Sequence, residues 1–141
     1  MTYLPDVNLW IALTIAEHVH HQIARHWFEA AADDTIAFCR VTQIGFLRLL
    51  TNDKVMGADV LTPARAWHVF ERIQTDHQVV FASEPPRLDQ IWRKITASQK
   101  SGTNFWTDTY LAAFAQASGF TLATFDRGFS KHKTLSIRLL G

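Results

Sequence analysis

The sequence predicts an α/β fold, a central parallel sheet flanked by helices, and three observations point to it. Short β-branched or aromatic runs alternate with segments of helical period, the order that builds a parallel sheet through crossover helices. The chain has 141 residues, the size of one domain spanning 1–141. Hydrophobic residues make up 48% and charged residues 19%, enough apolar side chain to bury a core and too little charge for a disordered chain.

In chain order, Tyr3-Leu4 is an apolar start too brief to be assigned as a strand by itself. Val7 to Ile15 is apolar nearly all round, which predicts a buried helix. His20 to Ala32 predicts a second helix, with Ile23, Trp27 and Ala30 or Ala31 on one face. Thr35 to Cys39 is β-branched and aromatic, a buried strand. Cys39 is the only cysteine, so it forms no internal disulfide and reads as a buried structural thiol. Thr42 to Leu50 returns to helical spacing, and Asn52 to Ala58 reads as a loop. Thr62-Pro63 opens a helix, since proline suits a first helical turn. Val79 to Phe81 is a short strand, stopped by Glu84-Pro85-Pro86. Leu88 to Ala97 is helical and Ser101 to Asn104 is a turn. Trp106 to Ala117 carries Tyr110, Leu111, Phe114 and Ala117 on one stripe, and Ser118-Gly119 ends that helix. Phe120 to Phe125 and Leu135 to Leu140 are the remaining strands. Trp10, Trp27, Trp67 and Trp92 fall within helical runs, so packing is their expected role, and Trp106, two places before Asp108, fits packing at a helix start or stacking on a base.

The formal net charge of +1 does not by itself announce a nucleic-acid binder, although a local patch can act as one. Arg127, Lys131, Lys133 and Arg138, with His132, form an acid-free basic tail able to contact a phosphate backbone. No basic region precedes the apolar N-terminal stretch and no uncharged run is long enough to span a bilayer, so the expected location is the cytoplasm, away from membranes. His18, His20, His21 and His26 lack the i,i+4 pairing of a helical metal site.

In a parallel α/β sheet, ligands bind beyond the carboxyl ends of the strands. Asp6 lies at such a junction, before the helix from Val7, and Asp126 directly follows the strand ending at Phe125. Asp108 begins the helix that leads into that strand. Each alone fits a helix cap or a first-turn acid. Together they form a set of carboxylates in apolar surroundings that repel one another and call for a cation. Oxygen ligands select a hard ion, Mg²⁺ or Mn²⁺, which suits metal-assisted phosphodiester hydrolysis.

The segments LPDVNLWIAL, EHVHHQIARHWFE, RVTQIGFLRLLTN, WTDTYLAAFAQASG and TLATFDRGF together resemble a PIN domain, specifically the VapC-type toxins of type II toxin–antitoxin pairs. The resemblance implies a parallel sheet with acidic residues above it, a Mg²⁺-dependent endoribonuclease activity on tRNA or rRNA, a cognate antitoxin that blocks the site, and a homodimer. It places Asp6, Asp108 and Asp126 as metal-holding acids, Thr124 as the small hydroxyl residue before the last Asp, and Asn8 as support. Where the family carries an acid in the helix after the second strand, this chain has Gln43, which offers a carbonyl oxygen but no charge. That departure motivates a competing reading, a catalytically weak PIN-like domain that binds RNA or protein. Glu84 is a candidate replacement acid, although a loop acid before two prolines also fits a solvated role. Arg40 and Arg48 flank the Gln43 helix and fit either a phosphate contact or a surface ion pair.

Overall fold

Strand β1 (Thr2–Pro5) sits at the centre of a five-stranded sheet with β2 (Thr35–Phe38), β3 (Val79–Phe81), β4 (Thr121–Thr124) and β5 (Ile137–Leu139), in the order β3-β2-β1-β4-β5. This is a computed structural model describing residues 1–141. Every strand pair is parallel, so all five carboxyl ends emerge at one edge. Tyr3-Leu4 is therefore the heart of the central strand. Its brevity hid it, because the pairing on both sides that stabilises it is invisible in a local window.

The helices are α1 (Val7–Thr14), α2 (His21–Ala30), α3 (Arg40–Leu50), α4 (Asp53–Met56), α5 (Pro63–Gln74), α6 (Leu88–Thr96) and α7 (Phe105–Ser118). The expected loop from Asn52 to Ala58 is instead α4 followed by a 3₁₀ turn at Gly57–Asp59. The Asn52 side chain accepts from Lys54 N at 2.9 Å and nucleates that short helix. The expected strands Phe120–Phe125 and Leu135–Leu140 are real but shorter, as element ends commonly are.

Side-chain alternation along the strands builds two cores. Ile36, Phe38 and Ala123 face α1, α2, α3 and α5 in an aromatic cluster with Trp10, Trp27, Phe28, Phe46 and Phe70. Leu4, Ala37 and Leu122 face α7 in a second cluster rich in small residues, with Ala112, Ala113 and Ala115. Cys39 is fully buried in the second. Trp10 and Trp27 take the core role expected of them, but Trp67 is 47% and Trp106 60% exposed. Helical period identified a face for these two residues without telling whether anything packs against it. Two of the histidines near α2 pack within the fold: His21 Nδ1 bonds Ala12 O at 2.7 Å and His20 stacks on Phe125 at 4.5 Å, while His26 is exposed.

Connections from β1 leave to β2 on one side, while β4 lies on the other. That reversal opens a crevice at the carboxyl edge between β1 and β4, the position where open α/β sheets bind ligands.

Candidate active site

Asp6 follows β1 and is buried, at 7% exposure. Its Oδ1 accepts from Leu9 N at 2.9 Å, capping α1, and its Oδ2 accepts from Thr124 Oγ1. Thr124 ends β4 and is fully buried. Because its hydroxyl proton goes to Asp6, its lone pair is free to accept from Asp126 N at 2.9 Å. One hydroxyl thus ties the end of β1 to the end of β4.

Asp126 is exposed and caps the 3₁₀ turn Arg127–Lys131 through Oδ1, which accepts from Gly128 N at 2.8 Å. Gly128 suits this turn because a Cβ there would meet Asp126 Oδ1 at 3.0 Å. Asp108 lies in the first turn of α7, half-buried, and neither carboxylate oxygen accepts a hydrogen bond from the chain. Capping therefore accounts for one oxygen of Asp6 and one of Asp126. It leaves Asp126 Oδ2 and both oxygens of Asp108 uncommitted.

Those free oxygens belong to one small cleft of about 80 Å³, lined by Asp108, Asp126, Phe105, Phe129, Lys131 and His132 among others. The three carboxylates share one electrostatic field. Burial pushes the Asp6 carboxyl up to about 6 against the lowering effect of its Thr124 and Leu9 bonds, and the charges of Asp108 and Asp126 add to the rise. Burial raises Asp108 as well, followed by the charge of Asp126, while Lys131 opposes the shift. His132 is lowered by burial and by Lys131.

No three acidic, His or Cys side chains close around a common point as single-ion ligands. The acids of the cleft are half-buried Asp108 and exposed Asp126, while Asp6 is buried outside its lining. Mg²⁺ accepts such a donor set, since it keeps several waters and takes only one or two carboxylates directly. The all-oxygen set, and the mutual repulsion that a cation would relieve, fit a hard divalent ion.

Asp108 and Asp126 line one cleft, the Thr124 hydroxyl joins Asp6 to the backbone of Asp126 beside it, and Gln43 does not line that cleft. Gln43 is buried on α3, its Oε1 accepts from Arg40, and it lines a separate depression with Trp67, Phe70 and Phe81. The α3 residue that abuts the start of α1 is Gly45, where an added Cβ would meet Val7 Cγ2 at 2.6 Å. Helical rotation between positions 43 and 45 explains the difference. Asn8 is exposed and makes no side-chain hydrogen bond to the aspartates. Glu84 is exposed and accepts from Tyr110 Oη at 3.1 Å, away from the cleft. The cleft residues Phe105 and Phe129 carried no sequence signal of their own. Lys131 and His132 stood out within the basic tail.

The PIN domain family model matches residues 3–135. Ribonuclease VapC41 of Mycobacterium tuberculosis is 41% identical over 142 residues, covering 97% of this chain and 97% of its own. Ribonuclease VapC38 of the same species is 33% identical over 126 residues, 89% of this chain and 85% of its own. The solved structure of VapBC2 from Rickettsia felis, bound to a DNA fragment of its promoter, aligns with a TM-score of 0.74 at 14% identity over 100% of both chains. Mycobacterium tuberculosis VapC20, a sarcin-ricin loop cleaving toxin, aligns with a TM-score of 0.69 at 18% identity, over 96% of this chain and 98% of its own. At such identities the solved structures speak to fold alone. The match of a family model to nearly the whole sequence, joined by a full-length relative, shows that the chain belongs to the PIN domain family and is related to the VapC ribonucleases.

Proposed function

We propose that this chain is a metal-dependent endoribonuclease toxin that cuts tRNA or rRNA, uses Mg²⁺ with Mn²⁺ as a substitute, and is neutralised by a cognate antitoxin. The observation that carries this reading is the cleft shared by Asp108 and Asp126 at the carboxyl edge of the sheet, with the Thr124 hydroxyl tying buried Asp6 to Asp126 beside it. The relatives named as ribonucleases support the activity, and the VapBC complexes among the fold neighbours support an antitoxin partner. A homodimer is part of the same reading.

Asp108 and Asp126 would hold the ion through their uncommitted oxygens, with Asp6 completing the negative field. When bound there, such an ion would supply water activation and stabilisation of charge on the scissile phosphate and its leaving oxygen. Thr124 keeps the ends of β1 and β4 in register, so the acids meet the substrate preorganised. Lys131, on the cleft wall, supplies a cation for a neighbouring phosphate. Asp126 and Lys131 lie at the rim, where substrate arrives, and Asp6 lies behind them.

The test is cleavage of total tRNA and rRNA by the purified chain with Mg²⁺ or Mn²⁺, repeated with Asp6→Ala and Asp108→Asn. Cleavage is expected to require the ion, to fall roughly 10–100-fold in Asp6→Ala as outer-shell changes do, and to fall further in Asp108→Asn. Equal cleavage by wild type and both variants would overturn the proposal. RNA binding without cleavage at any ion concentration would favour the binding-domain reading instead.

A further inference from the structure

The depression that holds Gln43 lies at the end of the sheet that carries the acidic cleft. Arg40 begins α3 directly beyond β2, and Phe81 is the last residue of β3. All strands run parallel, so these residues emerge at the edge that also presents Asp6 and Asp126. β3 stands three places from β4, whose end leads into Asp126, a lateral offset of about 14 Å at the usual strand spacing. The hollow measures about 310 Å³, at the small end of ligand pockets and suited to one ring system.

Its walls combine aromatic rings, a guanidinium and amides. The Arg40 guanidinium lies over the Phe81 ring at 4.8 Å. Trp67, half-exposed, presents a large aromatic surface beside it. Arg40 donates to Gln43 Oε1, which fixes the orientation of the buried amide. Gln43 Nε2 then has no partner within the chain and is left as a donor at the floor of the hollow. Glu71 and Gln74 complete the wall. The Glu71 carboxylate disfavours a phosphate inside the hollow while accepting readily from exocyclic amino groups.

We propose that Arg40, Gln43, Trp67 and Phe81 form a nucleobase subsite, which receives an unpaired base of the same RNA strand whose phosphodiester lies at the acidic cleft. The proposal rests on the ribonuclease reading and extends it to the substrate: the target segment is single-stranded, its base stacks on Trp67 and Arg40, and Gln43 donates to its edge. The offset between hollow and cleft is within reach of a strand contacting about four or more nucleotides.

The test measures binding of a fluorescein-labelled single-stranded RNA of about 12 nucleotides, a length within the site sizes of single-strand binders, to the full chain without divalent ions. Steady-state cleavage of the same RNA is measured with Mg²⁺. Aromatic stacking contributes roughly 1–3 kcal/mol per base, so Trp67→Ala is expected to raise both Kd and KM by roughly 5- to 140-fold, with the loss in KM rather than kcat. Gln43→Glu, which turns the donor into an acceptor, is expected to change the preferred base while leaving Mg²⁺ affinity unchanged. Unchanged Kd and KM in Trp67→Ala would overturn the proposal. So would a Trp67→Ala variant that loses antitoxin binding but keeps RNA binding, which would mark the hollow as a protein interface. Absence of cleavage in the wild type would overturn the ribonuclease reading by itself, and the metal-free binding comparison would still decide the subsite.

Discussion

The two faces of the sheet are packed by different means, and the difference explains where the chemistry sits. On the α1 face, large rings fill the space: Trp10 stacks on Phe38 with centroids 3.7 Å apart, and Phe46 and Phe70 meet Phe38 edge-on. Rings hold helices apart, and this face retains a hollow of about 440 Å³ lined by Trp10, Phe28 and Val69 among others. The buried indole nitrogens of Trp10 and Trp27 have no partners there. On the α7 face, Ala112, Ala113 and Ala115 are fully buried and let the helix lie against the strands. On that side the Trp92 indole, which meets Trp106 edge-on, donates to Thr109 Oγ1 at 2.9 Å. Close packing of α7 carries Asp108 to the carboxyl edge beside Asp126. Bulk on one face supplies stability, and its absence on the other supplies the site.

The largest expected effect separates these roles. Phe38→Ala removes a fully buried ring from the α1 face and is expected to cost about 3–5 kcal/mol in urea denaturation. The protein that remains folded is expected to bind Mg²⁺ as the wild type does, because Phe38 touches none of the acids. A weakened metal affinity in the folded fraction would show that the faces are coupled.

Next in size is the charge held in the crevice. Folding raises the Asp6 carboxyl from near 4 to about 6, so the folded chain binds more protons than the unfolded chain across that window. The stability that Asp6 contributes is present below pH 4 and is lost as pH rises through 6, a swing approaching 3 kcal/mol. Asp6→Asn has no such proton to release. In melts with EDTA, its stability relative to wild type is therefore expected to improve between pH 4 and 7, and saturating Mg²⁺ at pH 7 is expected to reverse that ranking. A difference flat with pH would mean that the buried acid meets a compensating charge.

Ala112→Leu probes the second face directly. Ala112 lies one helical turn beyond Asp108, and an enlarged side chain there is expected to cost about 1–3 kcal/mol by overpacking. RNA cleavage at a temperature where the variant is fully folded is expected to fall further than that loss explains, because α7 must move off the sheet and take Asp108 with it. Full activity in the folded variant would show that the cleft tolerates a displaced helix.

The same contrast governs what the sequence disclosed. The β-branched run at Thr35, the helical stripe of Tyr110, Leu111 and Phe114, and the acids after strands are local patterns, and they placed most elements and put Asp6 and Asp126 at strand ends. What depends on neighbours did not show. Tyr3-Leu4 is a strand because β2 and β4 pair with it, not because of its own composition. Trp67 and Trp106 sit in good helices yet face outward, since period does not reveal whether a partner layer exists. Gln43 was assigned to the acids by motif position alone. Its orientation depends on helical phase, which sends Gly45 toward α1 and Gln43 toward Phe81.

The smallest effect tests the far end of α7, where conformation acts with no packing at all. Gly119 closes the helix at φ 71° and ψ 24°, with Phe120 N donating to Ala115 O at 2.9 Å to satisfy a terminal carbonyl. A Cβ built at Gly119 meets nothing within 4 Å, so a substitution there changes backbone preference and little else. Left-handed backbone costs an L residue roughly 1–2 kcal/mol, and asparagine tolerates it better than alanine. Gly119→Ala is expected to lower Tm by a few degrees, at about 3–4 °C per kcal/mol for a domain of this size, and Gly119→Asn by less. Both are expected to cleave RNA at the wild-type rate, because Asp108 is held at the opposite end of the helix. Equal losses in the two variants would show that the cost is not conformational. Lost cleavage in both would show that the C-terminal end of α7 also sets the position of Asp108, and the division between a stabilising face and a site-bearing face would then fail.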